Sequence, residues 1–140
     1  MATVGGIAAL VALIALYSAY ASWLTKGIQP RQFRTGVPAH VVRDLFNQKV
    51  ARSGWTVVDD GNPMVAQSPL LTGIRQQIAL QATPQEDGSV LVRVGPQRWV
   101  TSWGVPKKAH TIRMRLDSFV GAVRALDPSV TPQLTPLRGR

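Results

Sequence analysis

The side chains able to do chemistry are few: two histidines, seven carboxylates and no cysteine in 140 residues. His40 and Asp44 stand four apart in a stretch with helical spacing. A general base and the carboxylate that orients it would share one face there. Their place at the start of that helix suits a solvated pair equally well, and no neighbouring residue completes a reaction centre. His110 follows Lys107 and Lys108 at the start of another helical stretch and reads as a surface residue. Asp59 and Asp60 run into Gly61-Asn62-Pro63, the composition of a turn rather than of a ligand pair. Neither histidine has a carboxylate cluster at metal-ligand spacing. The missing cysteines exclude a thiolate metal site and a disulfide framework. A phosphate-loop glycine pattern and a Gly-x-Ser-x-Gly elbow are both missing. The expectation is a non-catalytic protein, with no catalytic residue, no metal and no cofactor.

Charge says more. Sixteen Lys and Arg against seven Asp and Glu give a formal net charge of +9, and residues 1–25 carry none of it. The remainder is one domain's worth of chain. At 45% hydrophobic residues the composition is that of a folded protein rather than a disordered one. Residues 26–52 hold six positive side chains and one negative, and residues 53–92 hold one positive and four negative. Residues 93–116 carry Arg93, Arg98, Lys107, Lys108, Arg113 and Arg115 with no acid, and Trp99 and Trp103 lie among them. That basic, tryptophan-containing segment is the candidate interface.

The elements that must position it begin with an uncharged run from Val4 to Leu24. As a helix this run measures roughly 30 Å, the thickness of a bilayer's hydrocarbon, and it lacks the polar stripe of a buried core helix. A cleaved leader competes, since Ala19, Ala21 and Ser22 are small. Against it stand the missing basic n-region and an apolar run too long for a leader. Tyr17, Tyr20 and Trp23 gather at one end, as interfacial aromatics do. Lys26, Arg31 and Arg34 follow the run and nothing basic precedes it, so the positive-inside rule puts the N-terminus outside and the C-terminal domain in the cytoplasm. Ala8, Ala12, Ala15, Ala19 and Ser22 form one small-residue face, where a partner helix in the membrane would pack closely. Alanine-rich, arginine-rich coding is the bland account of the same face.

Residues 26–37 contain Gly27, Pro30 and Gly36 without a period and read as a juxtamembrane linker. Pro38 opens a helix over 38–53, with Val42, Leu45, Phe46 and Val50 on one face and Gly54 at its end. Strand-like residues 55–58 and 64–67 flank the turn at 59–63, and 69–73 reads as a loop. Ile74, Ile78, Leu80 and Ala82 alternate with polar residues over a strand at 74–83. The Glu86-Asp87-Gly88 turn pairs it with 89–95, where Val90, Val92 and Val94 point inward and Gly95-Pro96 ends the strand. A second helix runs from about 109, with Ile112, Leu116, Phe119, Val120, Val123 and Leu126 on one face, to Asp127-Pro128. The tail 128–140, with Pro128, Pro132 and Pro136, should be extended. The fold class is α+β: a transmembrane helix (1–25), the linker (26–37), and a domain (38–127) of order α-β-β-β(-β)-α. Both domain helices cover one face of an antiparallel sheet.

Three partners suit the basic segment: anionic lipid of the adjacent leaflet, another membrane-protein subunit, or nucleic acid. The helix–strands–helix order, with Gly104-Val105-Pro106-Lys107-Lys108-Ala109 leading into the last helix, resembles a double-stranded-RNA-binding domain over some twenty residues. That resemblance implies a lysine pair gripping phosphates. The family's first-helix pattern is not present, and a membrane anchor departs from it, so nucleic acid ranks last. One helix joined to one small domain is how accessory subunits of bacterial inner-membrane complexes are often built, and twelve Arg to four Lys fits a high-GC genome. The leading expectation is such an accessory or scaffolding subunit, bound to other integral membrane subunits. A tethered binder of lipid or nucleic acid is the alternative.

Overall fold

The computed structural model describes residues 2–69, 75–103 and 105–137. Helix α1 spans Ala2–Gly27, and with alanine and leucine as its main residues it has strong intrinsic helix preference. It is long and apolar enough to cross a membrane, and its side chains from Gly5 to Tyr20 are exposed. The domain follows as β1 (Arg31–Thr35), α2 (Ala39–Lys49), β2 (Thr56–Asp60), β3 (Met64–Gln67), β4 (Gln77–Pro84), β5 (Val90–Arg98), β6 (Thr101–Ser102), β7 (Val105–Pro106), α3 (Ala109–Leu126) and β8 (Gln133–Leu134). Strands β2-β3-β4-β5-β1-β8 form one six-stranded antiparallel sheet in that order, and β6 and β7 form a separate two-stranded ribbon. The expected α+β class, with an apolar N-terminal helix ahead of an antiparallel sheet and two helices, holds.

The core lies between the sheet and the two domain helices. Ile78, Leu80 and Ala82 of β4 and Val90, Val92 and Val94 of β5 are buried, which is the alternation of a half-covered sheet. Above them Val42 and Phe46 of α2 meet Ile112, Leu116 and Phe119 of α3. The rings of Phe46 and Phe119 pack edge to face, 6.0 Å between centroids. The β4–β5 turn closes as its sequence requires: Gly88 has φ +87°, and the Asp87 carboxylate accepts hydrogen bonds from the Ser89 amide and hydroxyl.

Several boundaries move. The stretch 26–37 is not a connector. It holds β1, seated between β5 and β8, and the tail contributes β8 to β1's other edge. Its inward positions are Arg31, Phe33 and Thr35, all buried, so only one of three is apolar. α2 ends at Lys49 rather than 53, because Ser53 and Gly54 both take left-handed conformations and turn the chain toward β2. A Cβ on Gly54 would also fall 2.8 Å from Pro69. Gly95-Pro96 does not end β5, which continues to Arg98 against β4. Pairing of β1 with β5 stops at Val94, so beyond it β5 has an open edge where a proline's missing N–H costs nothing. Gly95 stays small because Pro30 lies against it, 2.7 Å from where a Cβ would stand. Leu126, expected on the buried face of α3, is exposed at its last turn. Ile74, Gly104, most of the loop 69–73 and the last three tail residues lie outside the described residues.

Candidate membrane-proximal interface

The end of α1 is built into the domain. Ile28, one residue past the helix, is fully buried in the core, and Leu24 packs against the same cluster. Arg31 turns back from β1 to close the helix: its guanidinium donates to the carbonyls of Gly27 (2.8 Å) and Gln29. The Gly27 carbonyl is one that a helix end leaves without a partner, and a cation there also meets the negative end of the helix dipole. The same guanidinium pairs with Asp117 of α3 at 3.1 Å. Burial lowers the Arg31 pKa, and the charge of Asp117 and its hydrogen bond oppose that shift in part. Arg113, one turn before Asp117, lies over the Trp23 ring at 5.0 Å and reaches Asp117 at 3.7 Å. Gly27 leaves it room, since a Cβ there would stand 3.1 Å from Arg113 Cδ.

A second contact lies further along α1. The β6–β7 ribbon projects from the domain, its base closed by the Lys107 amide donating to the Val100 carbonyl at 2.7 Å. Buried Gln76 holds that base from beneath, its side-chain amide donating to the carbonyls of Lys107 and Lys108. At the tip, the Tyr17 hydroxyl donates to the Trp103 carbonyl. Trp103 has φ +54°, and its side chain points away from the domain, 90% exposed. Lys108, also left-handed, turns the chain into α3.

The structure therefore divides the basic segment that looks continuous in sequence. Trp103, Lys107 and Lys108 gather at the ribbon beside α1, and Arg113 joins α1 itself. Trp99 is half-buried against the core, while Arg98 is exposed at the end of β5. Arg93 faces the open side of the sheet and lines a shallow hollow of about 240 Å³ with Pro30, Pro63, Gln81 and Gln97. Arg115 points the other way from Arg113. It lies over Trp55 at 4.7 Å and donates to the carbonyls of Val50 (2.8 Å) and Arg52 (3.0 Å), closing the end of α2. Desolvation lowers its pKa, with Arg52 adding to the effect. Ala8, Ala12, Ala15, Ala19 and Ser22 remain exposed. At about 100° per residue they fall roughly opposite Ala21, Leu24, Thr25 and Ile28, which the domain covers.

His40 and Asp44 are both exposed on α2, with no hydrogen bond or ion pair joining them among the described residues. Among the described residues no three His, Asp or Glu side chains group where a metal ion would sit. Sequence reasoning took Arg31 only as an orientation signal and missed Asp117 and Gln76, since the role of each is visible only through its partners. No family model, curated protein or solved structure matches this chain.

Proposed function

We propose that this chain is a single-pass, membrane-anchored, non-catalytic accessory or scaffolding subunit of a larger bacterial inner-membrane assembly. α1 crosses the bilayer and the domain sits against the cytoplasmic leaflet. The observation that carries this reading is the joint: α1 enters the domain without a flexible link and is clamped there by Ile28, Arg31, Asp117 and the Arg113–Trp23 pair. A leader cleaved after Ala19 or Ala21 would leave this clamp in place and would remove Tyr17, whose hydroxyl donates to the Trp103 carbonyl. The clamp fixes which side of α1 the domain covers, and it leaves the Ala8-Ala12-Ala15-Ala19-Ser22 face open to a helix of another integral subunit. Lys26, Arg31 and Arg34 beyond the apolar run support the cytoplasmic orientation.

Membranes solubilised in mild detergent test it. The full-length chain should migrate as a larger species and bring other integral proteins with it. Replacing Ala12 and Ala19 by leucine should release those partners while the domain keeps its fold. Free monomer from native membranes overturns the reading. With no native cysteine present, a single cysteine replacing exposed Ser118 reads the orientation. It should react with an impermeant thiol reagent only after the cells are opened.

A further inference from the structure

We propose that the β6–β7 ribbon is a membrane-inserting hairpin: its tip enters the leaflet on the domain's side, Trp103 is the anchor, and Lys107 and Lys108 bind anionic phospholipid headgroups at its base. This rests on α1 crossing the bilayer, as proposed above, but not on which leaflet is the cytoplasmic one.

Three observations converge. The first is depth. The Trp103 carbonyl is bonded to Tyr17, seven residues short of Leu24, where the apolar run ends. At 1.5 Å per residue the ribbon tip lies about 10 Å inside the end of that run, at the deep end of the roughly 5–10 Å to which interfacial elements sink past the headgroups. With α1 in a bilayer, the tip has nowhere else to be.

The second is composition. Residues 99–106 (WVTSWGVP) contain no charged side chain, yet Arg98 precedes them and Lys107-Lys108 follows. An uncharged tip over a basic base matches the layering of a leaflet, hydrocarbon beneath anionic headgroups. The two lysines are exposed and among the described residues make no ion pair.

The third is the conformation of Trp103. A bulky residue is seldom left-handed, and here that conformation turns the indole outward to 90% exposure while its carbonyl points back to α1. The ribbon's base does not sway freely, since buried Gln76 ties down the carbonyls of Lys107 and Lys108. An indole held out on such a base, beside an apolar helix, is placed for lipid rather than for water.

The test uses the full-length chain, which has no cysteine of its own. Single cysteines replacing Trp103, Leu13 of α1 and Glu86 of the distant β4–β5 turn carry an environment-sensitive fluorophore, with each protein reconstituted at low density in phosphatidylcholine–phosphatidylglycerol vesicles. The label at 103 should be quenched about twofold or more by lipid-borne quenchers and be shielded from aqueous iodide, the pattern of an interfacial residue. The label at 86 should show the reverse, and the label at 13 should report lipid throughout. Iodide reaching 103 as freely as 86, with 13 still in lipid, overturns the hairpin and leaves the anchor standing. Iodide reaching 13 as well overturns both. Shielding at 103 that appears only at high protein density means a second copy covers the tip, and that also overturns the proposal. Replacing Lys107 and Lys108 by glutamine should abolish the extra lipid quenching that phosphatidylglycerol adds over phosphatidylcholine alone. Retention of that increment removes the headgroup part of the proposal.

Discussion

Two helices in this molecule end in the same way, and the difference between their ends is instructive. α1 and α2 each have their last carbonyls taken by an arginine from elsewhere in the chain, Arg31 and Arg115, and each has an arginine of α3 lying over a nearby tryptophan. Arg113 and Arg115, two residues apart on α3, project to opposite sides and so serve opposite ends. At α2 the arrangement is internal: among the described residues Arg115 has no carboxylate and its buried Nε has no partner, and Trp55 beneath it belongs to the core. At α1 the arginine is neutralised by Asp117, whose own side chain is largely exposed. One end is a piece of the core that happens to be polar. The other is a joint between two bodies, held by charge-assisted hydrogen bonds that apolar packing alone would not orient.

This contrast can be broken at several points. The largest effect belongs to the core that both ends share. Phe119→Ala should cost about 3–5 kcal/mol of stability, measured by denaturant unfolding in detergent, because it opens a cavity against Phe46. Next come the two capping arginines. Arg31→Ala and Arg115→Ala should each cost about 1–3 kcal/mol through the carbonyls they leave unpaired. They should differ in what loosens. Spin labels on cysteines replacing Tyr20 and Ser118 should show a broadened distance distribution between α1 and α3 for Arg31→Ala and an unchanged one for Arg115→Ala. A broadened distribution for both would mean that the joint and the core are a single unit. Arg113→Ala should change unfolding by only about 0.5–1 kcal/mol, the scale of one exposed cation–π contact, while still loosening the joint.

The smallest effect is on pH dependence. Asp127 accepts hydrogen bonds from the Ser129 hydroxyl, the Thr35 hydroxyl and the Gly36 amide, which lower its pKa to about 2. A carboxyl depressed in the folded state contributes stability above its unfolded value of 3.8, and that contribution is lost as pH falls from there toward about 2. Melting curves across that window should show the loss in the parent and a weakened pH dependence in Asp127→Asn.

Asp127 also explains why β1 was hard to see in sequence. Arg31 and Thr35, at its two ends, are bonded to Asp117 of α3 and to Asp127, the residue just past its end. Four residues of strand cover about 13 Å and ten residues of helix about 15 Å, so the two pairs come into register. Two of the three inward positions are therefore satisfied polar groups, and a pattern search for alternating apolar residues finds only Phe33. β4, β5 and α3 were legible for the opposite reason. Their inward positions are filled by valine, isoleucine, leucine and phenylalanine at the period of the element. The basic segment at 93–116 was legible as composition and misleading as a surface, because a strand, a ribbon and a helix send neighbouring residues in different directions.

What the sequence by itself determined is what depends on local chemistry: an apolar helix of bilayer length, the alternation of the central hairpin, the amphipathic stripe of α3, and the turn at Gly88. What only the tertiary structure decided is how those parts are joined. Each polar group at the joint takes its meaning from a partner far along the chain, Arg31 from Asp117 and Tyr17 from the ribbon tip at Trp103. A buried charge or a left-handed tryptophan is costly alone and stable only with that partner in place, so no local pattern announces it.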